Sequence, residues 1–466
     1  MPKKAEDKKT KEETEDKQEE KPKKRIKTPE LLRGFRDLLP EEQPYWDFLR
    51  STVRGIADSY SFQRLVTPVI EDKDLFIRTV GKQTDIVEKE MYQFETPGGE
   101  KVALRPEMTA SFARAYINHG MLDRPQPVKL WDMGPLFRHD RPQAGRYRQF
   151  NQFNFEVFGS EEPIIDAQLM VLLHSIFKEL GLDVVMQVNS IGTPQTRQEY
   201  KVELVAYYRS NRARICDECK RRLQKNPLRL LDCKEEGCQE VRAEAPMIVD
   251  WLDEDSKNHF MQVLEFLDEI EVPYVLNPHL VRGLDYYNRT VFEVYLAKED
   301  NGRSQSALGG GGRYDGLIEL LGGREGTPGC GFAVGMERVV AALREQEVSI
   351  PVRRPDIFFA QLGDAARRRG LKIFEDFRQA GIHVSEAFGK GALKSQLDLA
   401  NKLEVAYTII LGQKEVLDDT IIIRDMDSGS QEIIDAKKVV EILKKKLAET
   451  GDKPIMPPLD TETDLS

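Results

Sequence analysis

Apolar positions follow different spacings in successive stretches of the chain. Within residues 40–60, Trp46, Leu49, Val53, Ile56, Ala57 and Tyr60 recur every three or four positions, which predicts an amphipathic helix with one apolar stripe. Residues 62–70 read as a strand. Pro68 cannot donate to a ladder, so this strand is expected at an edge or an interface. Residues 128–159 read as two strands around an arginine-rich loop, and residues 181–189 as a further strand. From about 191 to 272 the spacing turns helical and highly charged, which predicts an inserted helical module. Residues 291–294, 309–312 and 329–335 return to strand and glycine-turn patterns, and a helix runs from Met336 to about Gln346. Prolines at 351 and 355 mark a linker. Beyond it come IFFAQL, a helix, IHVSEAF, a helix, AYTIILG, TIIIRD and a last helix ending near Leu447. Strands alternating with helices of this length predict a small α/β domain with a largely parallel sheet. The pattern divides the chain into a charged tail (1–27), a first body (28–347) holding the module, a second body (355–448) and a tail (451–466). Both tails have too few apolar residues to offset chain entropy and are expected to be disordered.

Composition narrows the class. A chain of 466 residues has room for two or three domains with cores of their own. No apolar run approaches the length that spans a bilayer, and the lysine-rich start has no apolar stretch behind it to make a secretory signal. Five cysteines are an odd, sparse set, which argues for a reducing compartment and a cytoplasmic location. A net charge of −10 neither requires nor forbids nucleic acid, which would need a local basic surface.

Four segments carry candidate chemistry. LVRGLDYYN (280–288) sets Arg282, a permanent cation that forks onto carboxylate or phosphate, beside Tyr286 and Tyr287. LRPEMT (104–109) would place Arg105, Glu107 and Thr109 on one face if extended, and its carboxylate and hydroxyl could grip an ammonium. Taken alone it suits a surface salt bridge better. GPLFRHDRPQAGRYRQFNQFNFEVFG (134–159) crowds Arg138, Arg141, Arg146 and Arg148 together, which calls for an anion. Period-two alternation there puts Arg146, Arg148, Phe150, Gln152, Asn154 and Glu156 on one face and Phe153, Phe155 and Val157 on the other. A basic hairpin that binds RNA would read the same way. GGGGRYDG (309–316) and GCGFAVGMERVV (329–340) combine glycines, which admit close backbone approach, with Arg338 at a helix start.

In this order the segments resemble the three motifs of class II aminoacyl-tRNA synthetases. Through LVRGLDYYN they are similar to the histidyl-tRNA synthetase family. The resemblance spans about 31–447. It implies an α+β catalytic core, an antiparallel sheet flanked by helices, with the helical insertion and a C-terminal α/β anticodon-binding domain. It implies activation of L-histidine by ATP, with Mg2+, and transfer to tRNA(His). Arg138 and Arg282 would be catalytic, at the α-phosphate and the substrate carboxylate. Arg146 and Arg338 would hold the outer phosphates, with Phe150 and Arg338 sandwiching adenine. Glu107, Met108 and Thr109 would form the ammonium side of the histidine site, and Gln152, Glu156, Tyr286 and Tyr287 the imidazole side. The first helix and the Pro68 strand would form a homodimer interface, and Lys390, Lys394 and Lys402 a face for tRNA backbone. Asp140 stands where the family's second motif usually has glutamate, and so reaches less far. No GxxxxGK[ST] is present, so a P-loop route to ATP is absent.

Cys216-x2-Cys219 has the spacing of a zinc site, and Cys233 and Cys238 could complete a tetrahedron. The resemblance instead implies an insertion that holds no metal as a rule, so structural zinc and free thiols both stand open. Two non-catalytic readings compete with the enzyme. A regulatory paralogue acting on histidine biosynthesis is expected to lack both the C-terminal α/β domain and an intact LVRGLDYYN. A sensor of uncharged tRNA is expected to accompany a kinase, and no kinase signature occurs here.

Overall fold

A computed structural model describes residues 28–81, 84–142, 145–297, 307–352, 354–389 and 391–450. Both tails and Lys390 lie outside the described residues. The predicted first helix forms over Gln43–Ser59 and buries Trp46, Leu49, Val53, Ile56 and Ala57. The next segment departs from expectation. Only β1 (Gln63–Arg64) forms there, parallel to the strand Val128–Phe137, before the chain runs irregularly to β2 (Ile70–Asp72). A buried side chain accompanies this: Arg105 donates to the Thr67 carbonyl and hydroxyl, both at 3.0 Å, and so occupies a carbonyl that a longer ladder would use.

β3 (Gln93–Glu95) and β4 (Lys101–Leu104) complete a small sheet with β2. The main sheet adds β5 (Val128–Phe137), β6 (Gln149–Phe158), β7 (Val184–Ser190), β8 (Tyr274–Leu276), β9 (Asn288–Leu296), β10 (Gly309–Arg313) and β11 (Gly329–Gly335). Its order among the described residues is β1-β5-β6-β11-β10-β9-β7-β8, antiparallel from β5 through β7.

The predicted alternation on β6 sorts the two faces of this sheet. Phe153, Phe155 and Val157 enter a core with Trp46, Leu49 and Phe332, where Phe155 stacks on Trp131 at 5.9 Å and on Phe332 at 5.2 Å. The helices Gln43–Ser59, Pro163–Glu179, Glu254–Glu269 and Met336–Glu345 close this face. Aromatic burial of this kind contributes most of the driving force, about 1.5–3 kcal/mol for each large side chain. The opposite face of β6 carries Gln152, Asn154 and Glu156. It is covered by the helix Thr109–Asn118 and by the charged helices Pro194–Ser210, Asp217–Lys225 and Glu236–Ala243, which share a second core with Tyr286 and Tyr287.

The C-terminal sheet contains β12 (Ile357–Gln361), β13 (Val384–Glu386), β14 (Tyr407–Leu411), β15 (Thr420–Asp425) and β16 (Gln431–Asp435), in the order β13-β12-β14-β15-β16. β13, β12 and β14 are parallel, as anticipated, but β15 and β16 are antiparallel additions and β16 has no counterpart in the sequence reading. The reversal is local. The Asp425 carboxylate accepts from the Asp427 and Ser428 amides, and Gly429 takes φ +71°, which folds the chain straight back. No helix among the described residues is long and apolar enough to cross a membrane.

Candidate active site

One cavity of about 530 Å³ opens on the polar face of β6, within the roughly 300–1,000 Å³ usual for ligand pockets. It runs beside Phe150, Gln152 and Asn154, and strand geometry of about 3.3 Å per residue makes the distance from Phe150 to Glu156 about 20 Å. That is room for two ligands end to end.

At the Phe150 end the wall is cationic. Arg138 follows β5. Its Nε donates to the Pro106 carbonyl at 2.8 Å, and its guanidinium lies 5.3 Å from the Phe150 ring centre. Burial pushes its pKa down, and Glu90 and Glu107 nearby oppose the shift. Arg338, in the first turn of Met336–Glu345, donates to the Ala307 carbonyl, and burial together with Arg146 and Arg138 depresses its pKa. Among the described residues neither Arg138 nor Arg338 makes a close ion pair with a carboxylate, and Glu90 and Glu107 act on Arg138 only from farther off. Arg146 is more exposed and pairs with Asp140 at 3.1 Å. Arg148 turns away from the cavity and donates to the Arg33 carbonyl at 3.1 Å.

At the other end three phenols form a box. Tyr286 and Tyr287 lie 4.6 Å apart, and Tyr314 meets them edge-on at 5.5 and 6.3 Å. Glu156 stands behind this box, fully buried. Thr109 Oγ1 donates to its Oε1 at 2.7 Å, and the Tyr314 hydroxyl donates to Oε2. Burial pushes the Glu156 carboxyl up to about 8, against the pull of those two bonds. Gly331 makes the position possible, because a Cβ there would strike the carboxylate. Arg282 pairs with Glu293 and stacks 5.4 Å from the Tyr287 ring centre. Burial disfavours its charge, but Tyr287 and Glu293 outweigh that and raise its pKa. A Cβ on Gly310 would sit 2.7 Å from Arg282 Nη1, so the glycine-rich strand β10 is thin where the guanidinium lies.

LRPEMT is not extended throughout. Its Glu107 accepts from the Thr109 and Ala110 amides at 2.7 and 2.9 Å, capping the helix Thr109–Asn118. Arg105 therefore leaves for the Thr67 loop, while Glu107 and Thr109 line the cavity. Met108 is fully buried in the second core and does not line it. Eleven residues singled out in the sequence thus meet at this site: Glu107, Thr109, Arg138, Arg146, Phe150, Gln152, Arg282, Tyr286, Tyr287 and Arg338 on the wall, and Glu156 behind it.

Several others were missed. Glu90, Glu293 and Glu337 lie outside any pattern that points to them as ligands. Glu337 fixes β6 by accepting from the Asn151 amide at 2.8 Å. Tyr314 had a signal, its place in GGGGRYDG. Arg222, Arg229 and Asp232 reach the cavity from the helical module. Asn154 sits on the predicted face, and its buried Oδ1 has no hydrogen-bond partner, an acceptor left open in the wall.

Comparison with known proteins gives the family. The family model described as histidyl-tRNA synthetase matches residues 34–339, and one described as anticodon binding domain matches residues 350–446. A protein named histidine–tRNA ligase from Dehalococcoides mccartyi is 45% identical over 417 residues, covering 89% of this chain and 99% of its own. One from Desulfotalea psychrophila is 44% identical over 401 residues, covering 86% and 92%. The crystal structure of apo S. aureus histidyl-tRNA synthetase superposes with a TM-score of 0.75 at 34% identity, covering 90% of this chain and 100% of that one. With a cation-lined cleft, a phenol box and a matching family model across most of its length, the chain belongs to the histidyl-tRNA synthetase family.

Proposed function

We propose that this chain is a histidine–tRNA ligase that activates L-histidine with ATP and passes it to the 3′ end of tRNA(His). One observation carries the reading. A single cavity joins a phenol-and-carboxylate box to arginines that make no close ion pair with a carboxylate among the described residues. In the first step a histidine carboxylate oxygen attacks the α-phosphorus, and the bond to the bridging oxygen of the pyrophosphate breaks. Charge gathers on phosphate oxygens, so fixed cations matter more than a general base. Arg138 and Arg282 take the α-phosphate and the carboxylate, with the incoming anion replacing Glu293 on Arg282. Arg146 and Arg338 take the outer phosphates, and Phe150 with Arg338 takes adenine. Glu107 and Thr109 hold the ammonium, since each keeps unused lone pairs. Tyr286, Tyr287, Gln152 and Glu156 hold the imidazole. Even as the protonated acid that burial favours, Glu156 keeps acceptor lone pairs beyond its present bonds, enough to take a ring N–H. Mg2+ of the kind held by phosphates and one or two carboxylates fits the donors at the nucleotide end, Asp140 and Glu337. When bound it would neutralise charge on the outer phosphates. Histidine-dependent exchange of labelled pyrophosphate into ATP is the direct test. Absence of exchange with histidine, in protein that binds tRNA, would return the chain to a non-catalytic reading.

Residues 28–347 would catalyse, with the module at about 191–272 beside them, and residues 355–448 would read the anticodon. Lys394 and Lys402 are exposed on the helix Leu393–Lys402, where they can meet phosphates. A homodimer is part of the proposal, through the Pro68 segment expected for it rather than through the apolar stripe of the first helix. The apolar stripe of Gln43–Ser59 is spent on the chain's own core. Val66 and Ile70 remain 67% and 48% exposed beside β1, an edge of the main sheet, and suit a partner.

A further inference from the structure

We propose that Cys216, Cys219, Cys233 and Cys238 bind one zinc ion in a tetrathiolate site that clamps the helical module over the cavity. The four Sγ atoms lie within 4.8 Å of one another, and three of the residues are buried. A zinc–sulfur bond of about 2.3 Å gives a tetrahedral edge of about 3.8 Å. Cys216 and Cys233 are already 3.9 Å apart. All four are free thiols, so no disulfide competes for them. An iron–sulfur cluster would spread its ligands around several irons and bridging sulfides, whereas this cage is the size of one ion. The backbone is arranged for thiolate charge. The Cys219 amide donates to Cys216 Sγ at 3.4 Å, and the Cys216 amide donates to Cys238 Sγ at 3.2 Å. Cys216 is also the N-cap of Asp217–Lys225, where the helix dipole favours a negative group. Zinc would displace the thiol protons to solvent and leave four coordinated sulfurs.

The site ties together two short helices. Its helices are nine and eight residues long, too short to hold alone in water. The stretch between Cys219 and Cys233 carries Arg222, Arg229 and Asp232 to the cavity, and Arg229 reaches across to Asp85 at 3.5 Å. Metal binding would thus fix a wall of the site without touching substrate.

The test is zinc analysis of the full chain, grown with zinc and purified without chelator. About one zinc per chain is expected, with loss of nearly all of it in the double variant Cys219→Ser and Cys233→Ser. Cys238→His keeps a competent ligand and should keep about one zinc, which separates lost ligation from failed folding. Cobalt(II) added to metal-stripped native chain should produce tetrahedral thiolate absorption that the double variant lacks. A native chain with little zinc and no such absorption would overturn the proposal. So would iron in place of zinc, or paired disulfides found by mass under denaturing conditions.

Discussion

Replacing Glu156 by glutamine separates what the residue does for function from what it does to stability. In the folded chain burial lifts its carboxyl from 4.5 to about 8. Between those values the folded state holds one more proton than the unfolded state. Stability therefore falls as pH rises, by about 1.4 kcal/mol per pH unit from this group alone. The contribution is fully present below about pH 4.5 and is lost by about pH 8, some 5 kcal/mol in all. Glutamine cannot ionise, so in Glu156→Gln this slope disappears. The amide can accept from only one of Thr109 and Tyr314 on its carbonyl, and that adds an offset that does not vary with pH. Denaturant unfolding of ligand-free protein from pH 5 to pH 8 should show the variant gaining on the native chain by about 3.5 kcal/mol. Function should move the other way. Below about pH 8 the buried acid is neutral, and loss of a neutral hydrogen bond costs about 0.5–1.5 kcal/mol, so the histidine KM should rise about three- to tenfold while the ATP KM stays unchanged. A difference in stability that is flat across this pH range would refute the account of Glu156 as a buried, strained acid. Equal changes in the two KM values would remove it from histidine selection.

Arg282→Ala should lower histidine-dependent pyrophosphate exchange about a hundredfold or more, since one cation aimed at developing charge contributes about 3 kcal/mol; activity within a few-fold of native would exclude it from the mechanism. Gly331→Ala places a methyl against Glu156 and 2.6 Å from the Phe155 carbonyl, so both thermal stability and exchange should drop sharply, and a native-like melting curve would contradict the packing. A chain shortened to end at Val352 should keep some exchange and lose most charging of tRNA(His), because the C-terminal core is built from residues 357–443 alone; undiminished charging would disprove anticodon reading by that domain. Val66→Asp with Ile70→Asp should shift the light-scattering mass from dimer to monomer, and a native chain already monomeric at micromolar concentration would overturn the dimer.

Local periodicity was enough to place the first helix, the β5–β6 hairpin and the split of β6 into an apolar and a polar face, because each depends on side-chain spacing within one element. The same spacing brought Phe150, Gln152 and Glu156 to one side, and the unusual residue order of LVRGLDYYN marked Arg282 and the phenols. Sequence could not say that residues 62–70 would fail to pair, or that Arg105 would arrive from elsewhere to occupy the Thr67 acceptors. Nor could it place β16, whose pairing rests on a turn closed by Asp425, or bend LRPEMT into a helix cap. Glu90, Glu293, Arg229 and Asp232 are ordinary surface charges until folding carries them to the cavity. The same holds for the four cysteines: spacing admitted a metal site, but only the close approach of their sulfurs across two short helices gives it the dimensions of one ion. Spacing fixes what an element can face. Which charges and sulfurs meet is decided by long-range packing, because the burial of the cores brings together residues far apart in sequence and no pattern within a single element encodes that.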